Sequence, residues 1–374
     1  MSQSFVLASA ESNASSPECD CLAHRFGNAA DGPERVRCYG SDLTDAEWQV
    51  VRPLLPVPAW LQGRGGRPEG FCHRVMLDAV RYVVDNGVKW ANLPADFPPY
   101  RWVHAFARRW QATGLLTEFH DRLRDRVRQE EGHSPDPTAA IVDSQSVRAA
   151  ANIPRSTSGW DGGKKVGGRK RHLVVDCLGL VLAVLVTAAS VQDRDAGVPV
   201  LERLRTLYFS IRLVWADGGY AGRLVDWAAE KCRLTLRIVK RSDDTAGFVV
   251  LPRRWVVERT LSWLMRSRRL VRDYETLPAM HEAMVLWSMT ILMSGRLPDA
   301  ARVLVAGRHR ERGEHPRTHL QDPAPFHQAF RLRPQPLNLR RNCFQAEGHG
   351  QLLTPQTCPA RVRLQYLHDA LVIR

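Results

Sequence analysis

The hydrophobic period of this chain changes at the Pro-rich turn HSPDPT, residues 133–138, and that change constrains the fold more than any single motif. Upstream, apolar residues recur at helical spacing. In SDLTDAEWQVVRPLLP, Thr44 and Glu47 have capping-box spacing, Trp48, Val51 and Leu55 follow at helical intervals, and Pro56 and Pro58 end the element. Beyond the turn-rich QGRGGRPEG, one helical face carries Phe71, Val75, Ala79 and Val83, and another carries Val103, Phe106 and Trp110. Residues 41–131 therefore read as a small all-helical domain. Downstream of the turn the apolar runs become short and extended. AAIVDSQSV reads as a buried strand, GGRKRHLVVDCLGLVLAVLVTAAS as a hairpin about Gly179, and SIRLVWADGGY as a further strand. Ala196 to Tyr208 fits a helix, followed by a helix in RLVDWAAEKC, a strand in LTLRIV and a basic helix in LPRRWVVERTLSWLMRSRRLVRDYE. That order is α/β, with helices flanking a mixed sheet over residues 138–298. Residues 1–40, rich in Ser, Ala, Asn and Gly without a period, are expected to form a loose leader. Residues 301–374, rich in Arg, His and Pro and free of lysine, are expected to form a disordered tail.

A formal net charge of +14 over 374 residues attracts polyanions, nucleic acid first and an anionic membrane surface second. No apolar run approaches the roughly 20 residues that cross a bilayer, and the N-terminus lacks the pattern of a secretory signal, so a cytoplasmic protein is expected. The eight cysteines are scattered and include no C-x-x-C pair. They read as unpaired thiols of a reducing compartment, and CDC at 19–21 is too short to claim a metal.

Three carboxylates stand out. Asp143 ends the first strand, Asp217 ends LVWAD just before Gly218 and Gly219, and Glu258 sits among arginines on the late helix. In a sheet of this order, strand ends and a covering helix can converge on one crevice. Three acids from distant segments suit two Mg²⁺ ions about 3.5 to 4 Å apart, clamping the attacking and leaving oxygens of a phosphodiester. Each acid also has an ordinary reading: a strand-end aspartate forms turns, and Glu258 can pair with Arg254 one helical turn earlier. Val257, Leu261 and Leu264 make the apolar stripe of that helix and put Glu258 on its shoulder. A second signal is the cationic run Lys164, Lys165, Arg169, Lys170, Arg171 and His172, whose interspersed glycines would let backbone approach a phosphate chain. Arg101, Arg108 and Arg109 lie on a helix suited to a DNA groove, and Arg253, Arg254 and Arg259 surround Glu258 as further phosphate contacts.

Taken in order from about 41 to 297, the blocks SDLTDAEWQVVRPLLP, GVKWANLPADFPPYRWVHAFARRWQATG, IVDSQSV, GGKKVGGRKRHLVVDCLGLVLAVLVTAAS, VQDRDAG, LVWADGGYAG and FVVLPRRWVVERTLSWLMRSRRLVRDYE resemble the DDE transposases of bacterial insertion sequences, specifically the insertion sequence 5 family. The resemblance implies a ribonuclease H-like catalytic domain behind a helical DNA-binding domain, and a metal-binding triad. Matched residue by residue, Asp143 takes the first acid, Asp217 the second and Glu258 the third, with Asp193 of VQDRDAG in reserve. It further implies cutting and joining of double-stranded DNA at terminal inverted repeats with two Mg²⁺ (or Mn²⁺) ions, a homodimer or higher assembly on DNA, and a nucleoid-associated location away from membranes. Around the third acid the wider superfamily has a Tyr and a Lys where this chain has Leu251 and Met265, so contacts of those two side chains do not transfer. The tail after 300 falls outside the resemblance and fits read-through past a lost stop. Rival readings are a catalytically inactive DNA-binding relic and a nuclease of the same fold without strand transfer.

Overall fold

A computed structural model describes residues 19, 21–25, 35–61, 70–239 and 254–297. The expected tail and most of the expected leader lie outside these residues. The described chain runs α1 (Leu22–Arg25), α2 (Asp45–Val51), α3 (His73–Asn86), α4 (Tyr100–Ala112), α5 (Leu115–Glu130), β1 (Ala139–Arg148), β2 (Gly159–Asp161), β3 (Val166–Val175), β4 (Val181–Ala188), α6 (Asp193–Leu207), β5 (Leu213–Ala216), α7 (Arg223–Cys232), β6 (Thr235–Ile238), α8 (Arg254–Leu264), α9 (Arg268–Val271) and α10 (Pro278–Ser294).

The capping box starts α2 as its sequence dictates. The Thr44 hydroxyl accepts from the Glu47 amide at 3.0 Å and the Glu47 carboxylate accepts from the Thr44 amide at 2.8 Å. In the sheet, β3 pairs antiparallel with β1, β2 and β4, while β1 lies parallel to β5 and β5 parallel to β6. Gly179, at φ +80°, turns the β3–β4 hairpin, and a Cβ there would meet the Thr260 hydroxyl of α8 at 2.7 Å. The hairpin is pinned from below by Asp176, whose carboxylate accepts from the Leu178 and Leu180 amides and pairs with Arg128 of α5 in a fully buried contact. An all-helical subdomain thus leads into a mixed, ribonuclease H-like α/β sheet, as expected.

Alternation along β1 divides the core between the two faces of the sheet. Ala140 and Val142 point to one face, under Val200, Leu201 and Leu204 of α6 and Leu224 and Ala228 of α7. Ile141, with Leu173 and Val175 of β3, points to the other, under Val257, Leu261 and Leu264 of α8 and Met284 and Trp287 of α10. This second core does not stop at residue 131. It continues through Trp110, Phe119, Leu123, Val80 and Trp48, and Trp110 stacks on Trp287 at 5.8 Å. The helical subdomain therefore closes around α10, a helix from late in the described chain whose apolar residues are spread around its axis and mostly enclosed. Part of the expected loose leader is also packed: Cys21 and Ala23 join this core, and Arg35 pairs with Asp42 at 2.8 Å and Asp96 at 2.9 Å. Two core residues in one helical turn are too few to carry a readable period. Among the described residues no helix is long and apolar enough to cross a membrane.

Candidate functional site

Parallel pairing aligns Ile141 of β1 with Trp215 of β5; two residues further come Asp143, in the middle of β1 rather than at its end as expected because the strand runs on to Arg148 against β3, and Asp217, just past the end of β5. Asp143 shares the face of Ile141, and its partner across β3 is Leu173, also in the core beneath α8. Both acids are half-buried. Asp143 accepts from the Ser144 amide at 2.7 Å, and Asp217 accepts from the Gly219 amide at 2.9 Å, which bends the chain away and leaves a carboxylate at the strand end. Glu258 is exposed on α8, next to Val257, which is wholly enclosed against the same face of the sheet. Asp143 and the helix that carries Glu258 thus belong to one side of the sheet, with Asp217 just past the end of the neighbouring strand. Among the described residues the three do not bring their oxygens within 4.8 Å of one another.

Asp193, at the start of α6, approaches the middle of β1 and the end of β5 from the opposite face. A side chain at Gly219 would lie 3.0 Å from the Asp217 carboxylate and 3.1 Å from that of Asp193. The Asp193 charge is already engaged: it accepts from the Ser144 hydroxyl at 2.8 Å and pairs with Lys170 at 3.1 Å. Next to it the Tyr220 hydroxyl lies 3.3 Å from His172 Nδ1, whose Nε2 lies 3.1 Å from the Thr187 hydroxyl. Burial raises Tyr220 well above the ordinary phenol range, and the charges of Asp193, Asp143 and Asp217 add to the effect. Burial also lowers His172 to about 4, so its imidazole is neutral at neutral pH. The sequence offers Asp193 only as a reserve acid, and nothing in the linear pattern signals that Ser144, Lys170, His172 and Tyr220 surround it.

The cationic candidates divide sharply. Lys164 and Lys165 are exposed in the β2–β3 turn, where Asp161 accepts from the Gly163 and Lys164 amides and the Lys164 ammonium donates to the Ser144 carbonyl at 3.2 Å, beside Asp143. Arg169, Arg171 and His172 are enclosed in β3, and this corrects their reading as phosphate contacts. Arg169 spends its donors on Thr157, Asp273, Glu275 and Thr276, and Arg171 on Gln145 and the Leu270 carbonyl. Lys170 is likewise buried, on Asp193 and the Val191 carbonyl. The glycine before them serves the sheet: a Cβ at Gly168 would sit 2.0 Å from the Val147 carbonyl of β1. On α4, Arg101 and Arg108 are exposed while Arg109 is half-buried over the Trp60 ring at 5.4 Å. Arg259 lies between Trp255 and Trp263, 4.8 and 4.6 Å from their ring centres, and donates to the Leu178 carbonyl. Arg253 and the side chain of Arg254 lie outside the described residues.

Comparison with known proteins bears on the same two segments. Residues 134–293 match the family described as a transposase DDE domain, and residues 43–120 match a putative transposase of the IS4/5 family. Two proteins of Burkholderia cepacia are similar over part of the chain. An uncharacterized 16.2 kDa protein of insertion element IS402 is 29% identical over 109 residues, covering 29% of this chain and 73% of its own length. A putative transposase for insertion sequence element IS402 is 32% identical over 123 residues, 31% of this chain and 58% of its own length. These matches reach the level of the superfamily rather than the insertion sequence 5 family alone. With an all-helical segment leading into a ribonuclease H-like sheet, and each segment matching its own half of the pattern, the chain carries a DDE transposase domain related to the insertion-sequence transposases of the IS4/5 superfamily.

Proposed function

We propose that the protein is a transposase of the insertion sequence 5 family that binds the terminal inverted repeats of its element, cleaves DNA there and joins the freed 3′ end to target DNA. The observation that carries this reading is the placement of Asp143, Asp217 and Glu258: within β1, just past the end of the parallel neighbour β5, and on the helix packed against β1. Carboxylate oxygens with this exposure fit hard divalent cations, and Asp143, Asp217 and Glu258 would hold Mg²⁺ or Mn²⁺. The bound ions would supply positive charge to the reacting phosphodiester. Around them the chain positions and excludes. Lys164, tethered to the Ser144 carbonyl, puts an ammonium beside Asp143 to meet a phosphate. Lys170 and the Ser144 hydroxyl fix Asp193 so that it braces β1 at the residue after Asp143. Arg101 and Arg108 on α4 and Lys165 in the turn offer exposed charge to the DNA backbone. Water would attack for cutting and a 3′-hydroxyl for joining, both in-line displacements at phosphorus that need no covalent protein intermediate. Two DNA ends held together imply a dimer or higher assembly.

The test uses the full chain, Mg²⁺ and a labelled duplex ending in the inverted repeat that brackets the gene. Cut ends and joined products are expected from the wild type. D217N is expected to bind the duplex in a shift assay and to yield neither product. Cutting without joining, when target DNA is supplied, would point to a nuclease; repeat binding without cutting would point to an inactive relic.

A further inference from the structure

Far from the three carboxylates in sequence, four side chains that the linear pattern leaves unrelated come together at the start of the helical subdomain. Cys19, Cys21, His24 and Cys72 each offer a ligand atom, and all four atoms lie within 4.8 Å of one another. Cys72 Sγ is 3.7 Å from Cys19 Sγ and 3.9 Å from Cys21 Sγ, and Cys21 Sγ is 3.2 Å from His24 Nδ1. These are not disulfide distances, since a bonded pair lies at about 2.05 Å. They are the edges of a coordination tetrahedron: with a zinc–sulfur bond of about 2.3 Å, two thiolates on one ion sit about 3.8 Å apart.

The surroundings are those of a thiolate site. Cys21 is 2% exposed and receives the backbone amide of His73 at 3.4 Å. Cys72 is the residue before α3, a helix of 14 residues, whose amino end favours a negative sulfur. The single turn α1 brings His24 back over Cys21, the Arg25 amide bonding the Cys21 carbonyl at 2.9 Å. Nothing in the core demands three unbonded thiols and an imidazole in one place; apolar residues would pack there without desolvating them.

We infer that Cys19, Cys21, His24 and Cys72 form a structural zinc site that clamps the segment before α2 to the start of α3. Three sulfurs and a nitrogen select Zn²⁺ over the hard cations that suit the carboxylates, and four protein ligands leave no open position for chemistry. The site would fix the chain around Cys21 and Ala23 against the core that also positions α4. It rests on the cysteine geometry alone and stands or falls independently of the transposase reading.

The experiment measures metal in the full chain, purified without chelator and desalted. About one zinc ion per chain is expected. After exchange with Co²⁺, intense visible bands and a near-ultraviolet thiolate-to-metal band are expected, marking tetrahedral sulfur coordination. Cys72→Ser and His24→Ala are each expected to lower zinc below about a tenth of an ion per chain, whereas Cys38→Ser and Cys177→Ser, at exposed cysteines, retain it. Stripping zinc is expected to lower the melting temperature, and adding it back to restore it. A wild-type chain with all thiols free and below about a tenth of an ion when zinc is supplied during expression would overturn the inference. So would a weak, octahedral cobalt spectrum, or a disulfide between any two of the three cysteines. Should Cys72→Ser fail to fold, His24→Ala and the wild-type metal content still decide the matter.

Discussion

Lys164 and Lys165 stand only a few residues before Arg169 and Arg171, yet the first pair faces solvent and the second is sealed inside the sheet. The difference comes from pairing. From Arg169 onward β3 is flanked by β1 on one side and β4 on the other, so its side chains must find partners within the protein. A guanidinium can do so because its five donors form a planar fork. Arg169 uses it on Thr157, Asp273, Glu275 and Thr276, tying the chain after α9 to the sheet. The same run of positive charge therefore contains cations available to DNA and cations that hold the fold. Charge alone does not separate them; strand position does.

The sharpest way to break that comparison is to remove a buried member. Arg169→Ala leaves Asp273, which is 3.0 Å from the guanidinium, with His281 as its remaining ion-pair partner, and the expected loss is about 3 to 5 kcal/mol of unfolding free energy. Denaturant titration checks it. A loss below about 1 kcal/mol would mean that Arg169 is no more structural than a surface cation.

The next effect is a pH dependence. His172, facing Asp193, Lys170, Lys164 and Tyr220, has a folded-state value lowered to about 4 by burial, against about 6.5 in an unfolded chain. Between these values the unfolded state binds more protons, so this group's contribution is fully present above pH 6.5 and is lost as pH falls through 4. The loss amounts to about 3 kcal/mol. His172→Gln should flatten that part of the stability profile, measured by denaturant titration from pH 7 to 4. An unchanged slope in the variant would show that His172 is accessible to protons, and to phosphate, after all.

The smallest effect on stability is expected at the exposed pair. Lys164→Ala and Lys165→Ala should each change unfolding free energy by no more than about 0.5 kcal/mol. Each should reduce the slope of log affinity for duplex DNA against log salt by about one. A salt titration in which neither variant alters the slope would remove the turn from the DNA interface.

Much of the fold was legible where a local rule decides it. The Thr44–Glu47 capping box, the hairpin at Gly179 and the strands of β1 and β5 all follow from spacing and turn chemistry. The role of α10 was not: a helix whose apolar residues are spread around its axis has no single stripe to indicate its partners, so nothing in PAMHEAMVLWSMTILMS points to Trp110. For the candidate site, the residue types of Asp143, Asp217 and Glu258 were readable, but the nearness of the first two needs the register of β1 with β5 and the placing of the third needs α8 packed on β1. The engagement of Asp193 by Ser144 and Lys170 needs three elements to meet. The cysteine cluster was invisible for a related reason, since Cys72 reaches Cys19 and Cys21 only through tertiary packing.

Under the proposed function the carboxylate on α8 serves the same chemistry as Asp143 and Asp217. The most direct measurement is Mg²⁺-dependent cutting of a repeat-end duplex by Glu258→Gln, which keeps size and helix propensity and removes the charge. Because Glu258 is exposed, the change should cost at most about 1 kcal/mol of stability. Repeat binding should persist, and cutting should fall at least about a hundredfold, the scale on which a lost electrostatic contact to a reacting group acts. Near-normal turnover in a folded Gln variant would contradict the account, leaving Glu258 as an ordinary helix-surface acid and reopening the third position to Asp193.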